Sequence, residues 1–293
     1  MNAEAKITRT ETARPREESV LCIDPHGFHR MRYVEWGDPK NPRVLMCVHG
    51  LTRNGRDFDY LAESLCDQYR VVCPDIVGRG RSDWLRDPRD YNYPVYCNDL
   101  PALIAKLGAE TVDWVGTSMG GILGMVFASY PGSPVRKLVV NDVGCMLPKA
   151  ALERIGQYVG AKLSFDSIEA LEAAMRSVSP FGELTAEQWR HLALNVAHRE
   201  TDGKWTFRYD PGISVNFNQA GPIVDVDLRK FWNGVHGPAL VIRGEQSDLL
   251  TAQIAAEMLR RPHTELCVIP RTGHAPMLMN AHEAGVIRHF LLT

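Results

Sequence analysis

No stretch of this 293-residue chain approaches the roughly 18–20 uninterrupted apolar residues that a bilayer-crossing helix needs, so no membrane span is expected. An excess of one charge is missing too: 33 Lys and Arg stand against 35 Asp and Glu, for a formal net charge of −2. Without a basic run or stripe, a nucleic-acid partner is not expected. The 7 cysteines are an odd count and form no C-x-x-C or C-x-x-H spacing, which argues against a disulfide framework and a zinc site. Cys47, Cys73 and Cys267 sit inside apolar runs and read as small buried hydrophobes suited to a reducing cytoplasm. No G-x-G-x-x-G follows the first parallel-type strand and no G-x-x-x-x-G-K-[ST] occurs, so neither a nucleotide cofactor nor a metal is anticipated. Residues 1–19 mix Lys6, Arg9, Arg14 and Arg16 with Glu4, Glu11, Glu17 and Glu18. They lack the apolar core of a signal peptide and read as a loosely tethered tail.

What is present is an alternation of short β-rich runs and helix-length segments. Phe28 to Trp36 alternates and ends at Gly37-Asp38-Pro39, as a half-buried antiparallel strand does. Val44 to Val48, Val71 to Cys73, Val112 to Val115 and Lys137 to Val140 are continuous apolar runs, the pattern of parallel strands covered on both faces. Helical segments at Phe58 to Cys66, Pro94 to Leu107 and Ser118 to Tyr130 separate them. The alternation stops between Leu147 and Pro222, where three helix-period segments follow one another: Lys149 to Ala161, Ser167 to Val178 and Thr185 to His198. It resumes with Ala239 to Ile242, Ala252 to Arg260, Leu266 to Ile269 and Ala281 to Leu292. The reading is one α/β domain, a mostly parallel open sheet flanked by helices, formed by residues 20–146 and 223–293 and interrupted by a helical insert over 147–222.

The sharpest chemical signal is Gly116-Thr117-Ser118-Met119-Gly120, a G-x-S-x-G between a strand and a helix. A serine hydroxyl is a weak nucleophile until a base takes its proton, and a tight turn lifts it clear of the sheet where a histidine can reach it. The glycines answer to the close backbone approach such a turn forces.

With this motif, with His49-Gly50 after the strand Val44 to Val48, and with the D-x-x-G-x-G-x-S string Asp75 to Ser82, the sequence resembles the α/β-hydrolase fold family over nearly its whole length after the tail. The resemblance implies a serine esterase or lipase-like hydrolase. Ser118 would be the nucleophile, the backbone N–H groups of Leu51 and Met119 an oxyanion hole, and the insert a cap after the sixth strand. Among 10 histidines, the family's chain order and a loop after the last strand select His274 as base. Asp248, after the strand Ala239 to Ile242, stands at the family's usual acid position; Asp142 is the alternative some members use, and Glu245 a third choice. Serine at the elbow sets the chain apart from haloalkane dehalogenases and epoxide hydrolases, which place an aspartate there.

The implied reaction is ester cleavage through an acyl-enzyme, with a small-molecule ester as partner. Small to medium apolar esters would be held by Met146, by Trp189 of the cap, and by Arg53 if the substrate carries a carboxylate. Lactone opening, carbon–carbon bond hydrolysis and polyester-oligomer cleavage use the same motifs, and some members of the fold perceive ligands without turning them over.

Overall fold

The computed structural model describes residues 14–219 and 221–293. In chain order its core contains β1 (Arg16–Asp24), β2 (Gly27–Trp36), β3 (Val44–Val48), α1 (Asp59–Leu65), β4 (Arg70–Pro74), α2 (Tyr93–Leu107), β5 (Val112–Thr117), α3 (Met119–Ser129) and β6 (Val135–Asn141). An insert follows with β7 (Met146–Leu147), α4 (Lys149–Gly156), α5 (Ile168–Val178), α6 (Ala186–Val196), β8 (Ala197–Arg199), β9 (Trp205–Phe207), α7 (Val215–Gln219) and β10 (Val226–Asp227). The chain returns to the core with α8 (Arg229–Gly234), β11 (Ala239–Gly244), α9 (Ala252–Met258), β12 (Thr264–Ile269) and α10 (Ala281–Leu292).

Eight strands form one sheet in the order β1-β2-β4-β3-β5-β6-β11-β12. The β1–β2 and β2–β4 pairs are antiparallel, and the others are parallel. Side chains alternate across β3, so Val44, Met46 and Val48 join a core on one face while Leu45 and Cys47 join another. The first face is covered by α2 and α3, with Leu100, Leu103, Leu123 and Trp114 fully or nearly fully buried. The second is covered by α1 and α10 through Leu61, Leu65, Ile287 and Leu291. Burying a side chain of this size is worth roughly 1.5–3 kcal/mol, which is what draws the apolar strands between two helical layers.

Two features differ from the sequence reading. The tail expected through residue 19 joins the sheet at Arg16, because Arg16 pairs with Glu35 at 2.7 Å and the Arg16–Asp24 stretch registers against Gly27–Glu35; residues 1–13 of that expectation lie outside the described residues. The insert is also not purely helical: β8 pairs with β9 inside it, and β7 pairs with β10, at Val226–Asp227, just past its expected end. These strands are two or three residues long, too short for an alternating pattern to register in a sequence. The insert has its own apolar cluster, in which Leu171, Met175, Trp189 and Leu192 pack with Met277 and Met279 of the core. Among the described residues, no helix is long and apolar enough to cross a membrane.

Candidate active site

Parallel strands deliver their C-terminal ends to one edge of the sheet, and the chemistry-bearing residues gather there. Ser118 follows β5 with an unusual positive φ, at φ 52° and ψ −114°, which turns the chain sharply into α3. The neighbouring glycines make that turn possible. A Cβ on Gly116 would lie 2.2 Å from the Gly120 carbonyl oxygen, and one on Gly120 would lie 1.9 Å from that of Val48. The Ser118 amide donates to Asn141 O at 2.9 Å, fastening the turn to the end of β6.

His274 lies in the loop after β12, and its Nε2 is 3.0 Å from Ser118 Oγ. Its other nitrogen, Nδ1, is 2.8 Å from a carboxylate oxygen of Asp142. A carboxylate only accepts, so Nδ1 carries the proton and Nε2 is left to accept from the serine hydroxyl. Asp142 follows β6, directly beside β5, and is fully buried. Its second oxygen accepts from the Gly244 amide at 2.7 Å, and the oxygen facing His274 also accepts from Ser247 Oγ at 2.7 Å. A buried carboxylate needs such partners to hold its charge.

The structure does not bring Asp248, the expected acid, to the histidine. Asp248 makes no hydrogen bond with His274; both of its oxygens are bound by Arg154 of α4, at 2.6 and 2.8 Å, and its side chain is 48% exposed. Burial pulls its carboxyl upward, but Arg154 outweighs this and holds it below its usual range. Asp142 reaches His274 because β6 is next to β5, whereas Asp248 lies in a turn held by Arg154 of the insert. Ser247, which the sequence reading passed over, is the residue of that turn that reaches the buried carboxylate.

The Leu51 and Met119 amides donate to no acceptor among the described residues. The Leu51 amide belongs to a tightly held peptide. Gly50 O accepts from His49 Nδ1 at 2.7 Å and from the Arg53 amide at 3.2 Å, and in a planar trans peptide the Leu51 N–H must point the opposite way. The His49 ring therefore matters as much as its backbone, since Nε2 also accepts from the Ile76 amide at 2.9 Å. Complete burial pushes this imidazole down to about 3, so it stays neutral in both roles. A Cβ on Gly50 would lie 3.6 Å from Ser118 Cβ, which puts this turn against the serine.

The three substrate-binding expectations fare differently. Met146 is partly buried in β7 and packs against the main core. Arg53 is bound bidentately by Asp57, at 2.8 and 2.6 Å, and lies over the Phe181 ring of the insert. Its charge is thus already matched. Trp189 stacks on Phe181 and is buried in the insert's own cluster, so its apolar face is consumed by packing. A cavity of about 340 Å³, lined by Glu17, Glu18, Asp75, Arg32, Arg56 and Arg208 among others, includes neither Ser118 nor His274.

A hydroxyl, an imidazole and a buried carboxylate in line, with two unengaged amides in the turns that adjoin the serine, can generate an alkoxide-like nucleophile and receive negative charge on an attacked carbonyl. Comparison with known proteins agrees in fold. The sequence model of the alpha/beta hydrolase family matches residues 45–287. A 3-hydroxybutyrate-oligomer hydrolase from Cupriavidus necator is 48% identical over 288 residues, spanning 95% of this chain and 98% of that protein. Two solved structures superpose closely: a protein from Rickettsia typhi, 32% identical with a TM-score of 0.88 over 95% of this chain and 99% of its own, and an alpha/beta hydrolase from Novosphingobium aromaticivorans, 36% identical with a TM-score of 0.84 over 95% and 98%.

Proposed function

From the premise that this chain belongs to the alpha/beta hydrolase family, we propose that it is a serine hydrolase that cleaves the ester bonds of short hydroxyalkanoate oligomers, with Ser118, His274 and Asp142 as its catalytic residues. The observation that carries the reading is the unbroken hydrogen-bonded line from Ser118 Oγ through the His274 ring to Asp142. The choice of oligomer rests on the 48% identity to the Cupriavidus necator protein along almost the full length of both chains.

In the proposed cycle His274 Nε2 takes the proton of Ser118 as Oγ attacks the ester carbonyl. The tetrahedral oxyanion accepts from the amides of Leu51 and Met119, each donor being worth about 10²–10³ in rate. Collapse breaks the ester bond, and the leaving hydroxyl end of the shortened oligomer takes the proton from His274. Water, activated by the same nitrogen, then attacks the acyl-serine and releases the acid. Asp142 keeps the ring in the tautomer with the proton on Nδ1 and stabilises the imidazolium formed in each half.

The test is a time course on a 3-hydroxybutyrate trimer, with monomer and dimer resolved by chromatography and p-nitrophenyl butyrate as a second ester. Release of shorter acids by the wild-type chain and its loss in Ser118→Ala are the expected results. Turnover that survives Ser118→Ala would overturn the serine assignment, and cleavage of the p-nitrophenyl ester without any attack on the trimer would overturn the oligomer assignment.

A further inference from the structure

Arg79 is fully buried, yet none of its hydrogen-bond acceptors among the described residues is a carboxylate. Its Nε donates to Leu51 O at 2.8 Å, and one terminal nitrogen donates to Val77 O at 2.8 Å and to Tyr96 Oη at 2.9 Å. The other terminal nitrogen lies 4.0 Å from Met119 Sδ. The guanidinium also sits over the rings of Tyr96 and Tyr91, with 5.1 and 5.7 Å to their centroids. A buried cation normally has a counterion, because removing a charge from water without one is strongly unfavourable. Here carbonyl dipoles, a phenol oxygen and two aromatic faces take the counterion's place.

The loop forces this burial. Gly78 and Gly80 on either side have φ of 82° and 55°, a region that disfavours other residues. A Cβ on Gly78 would lie 2.4 Å from the Tyr91 ring, and one on Gly80 would lie 2.2 Å from an Asp75 carboxylate oxygen. Asp75 in turn accepts from the amides of Gly55 and Arg81, both at 2.8 Å. The turn is thereby locked with its central side chain inward. Two of the residues that Arg79 reaches, Leu51 through its carbonyl and Met119 through its side-chain sulfur, are the ones whose amides point at the oxyanion in the proposed reaction.

We propose that Arg79 is the positioning residue of the oxyanion site: it fixes the Leu51 carbonyl, in the peptide plane that follows the Leu51 amide, so that this amide is held from both sides, by His49 through the Gly50 carbonyl and by Arg79 through that of Leu51, and it adds a buried positive charge that favours the negative oxyanion. The inference rests on the serine-hydrolase reading above. It requires no change in the affinity for a neutral ester and a selective gain for a tetrahedral anion, which is how an interaction raises turnover instead of merely tightening binding.

Arg79→Met keeps the length and removes the charge, and Arg79→Lys keeps the charge and loses the forked geometry. In Arg79→Met, kcat on p-nitrophenyl butyrate is expected to fall about 10²-fold, the scale of one lost oxyanion donor, with KM within about threefold. Inhibition by an alkylboronic acid, which forms a tetrahedral anion on the serine, should weaken by the same factor as kcat. Arg79→Lys should recover about tenfold of the loss, since an ammonium restores the charge but not the bidentate reach. A folded Arg79→Met with kcat and boronate inhibition within about threefold of wild type overturns the proposal. If that variant does not fold, Arg79→Lys decides alone: parallel loss of kcat and boronate affinity at constant KM supports the role, and wild-type behaviour overturns it. Ser118→Ala run alongside separates the two readings, because activity surviving in Ser118→Ala removes the serine mechanism itself, whereas an inactive Ser118→Ala with an unaffected Arg79→Met removes only the role of Arg79.

Discussion

Asp142 and His274 meet at 2.8 Å although 132 positions separate them in the chain. The carboxylate stands at the end of β6 with φ 56°, its amide donating to Ile242 O of β11 at 2.8 Å, so the strands on both sides of β6 set its position. Asn141, the preceding residue, reaches Pro276 O at 2.8 Å and thereby ties the histidine loop to the same strand end.

Exchange of the two candidate acids should separate them cleanly. Asp142→Asn should reduce kcat/KM on p-nitrophenyl butyrate by about 10⁴, because an amide facing Nδ1 favours the wrong imidazole tautomer. Asp248→Asn should stay within about threefold, since its partner Arg154 and its exposure make it a surface ion pair worth about 0–1 kcal/mol. Steady-state kinetics on both purified variants, with circular dichroism to confirm folding, measures the contrast.

Removal of the His49 clasp is a second kinetic test. His49→Ala leaves Gly50 O without its ring donor and the Ile76 amide without an acceptor. The expected outcome is a loss of about 1–3 kcal/mol of stability for the buried group left unpaired, together with a fall in kcat exceeding any rise in KM. Denaturant titration and Michaelis–Menten analysis read the two effects separately.

Glycine substitutions should act in opposite directions by position. Gly120→Ala drives a methyl to within 1.9 Å of a backbone oxygen that cannot move away, so a soluble folded product is not expected. Gly285→Ala in α10 meets nothing within 4 Å, and replacing glycine inside a helix should stabilise by about 0.5–1 kcal/mol. Soluble yield and thermal unfolding score the pair.

The buried imidazole of His29 lies between Asp24 and Asp99, at 2.9 and 2.8 Å. Burial opposes its protonation, but the hydrogen bonds and charges of Asp99 and Asp24 outweigh burial and raise it above its usual 6.5. A histidine raised in the folded state stabilises fully below the unfolded value of about 6.5, and the contribution is lost as pH rises through the folded value. The wild-type melting temperature should therefore decline from mildly acidic into alkaline buffer, by about 2–4 °C per kcal/mol lost. His29→Gln should flatten that decline. An identical slope in the two proteins would show that another group is responsible.

The sequence by itself determined the sheet, because buried parallel strands are written as local apolar runs and the G-x-S-x-G turn is a contiguous steric requirement. The positions of Ser118 and His274 beyond the ends of their strands were legible for the same reason: each is placed by the segment that carries it, with the family resemblance supplying their order. Which carboxylate meets His274 was not legible, because Asp142 and Asp248 both follow apolar strands and nothing local distinguishes them. The inward turn of Arg79 was equally hidden, since an arginine between two glycines reads as an exposed loop residue until Tyr91, Tyr96 and Leu51 are brought around it. Only the tertiary structure decided these two, because strand order and loop packing are relations between distant segments: β6 beside β5 hands Asp142 to His274, while the turn after β11 hands Asp248 to Arg154.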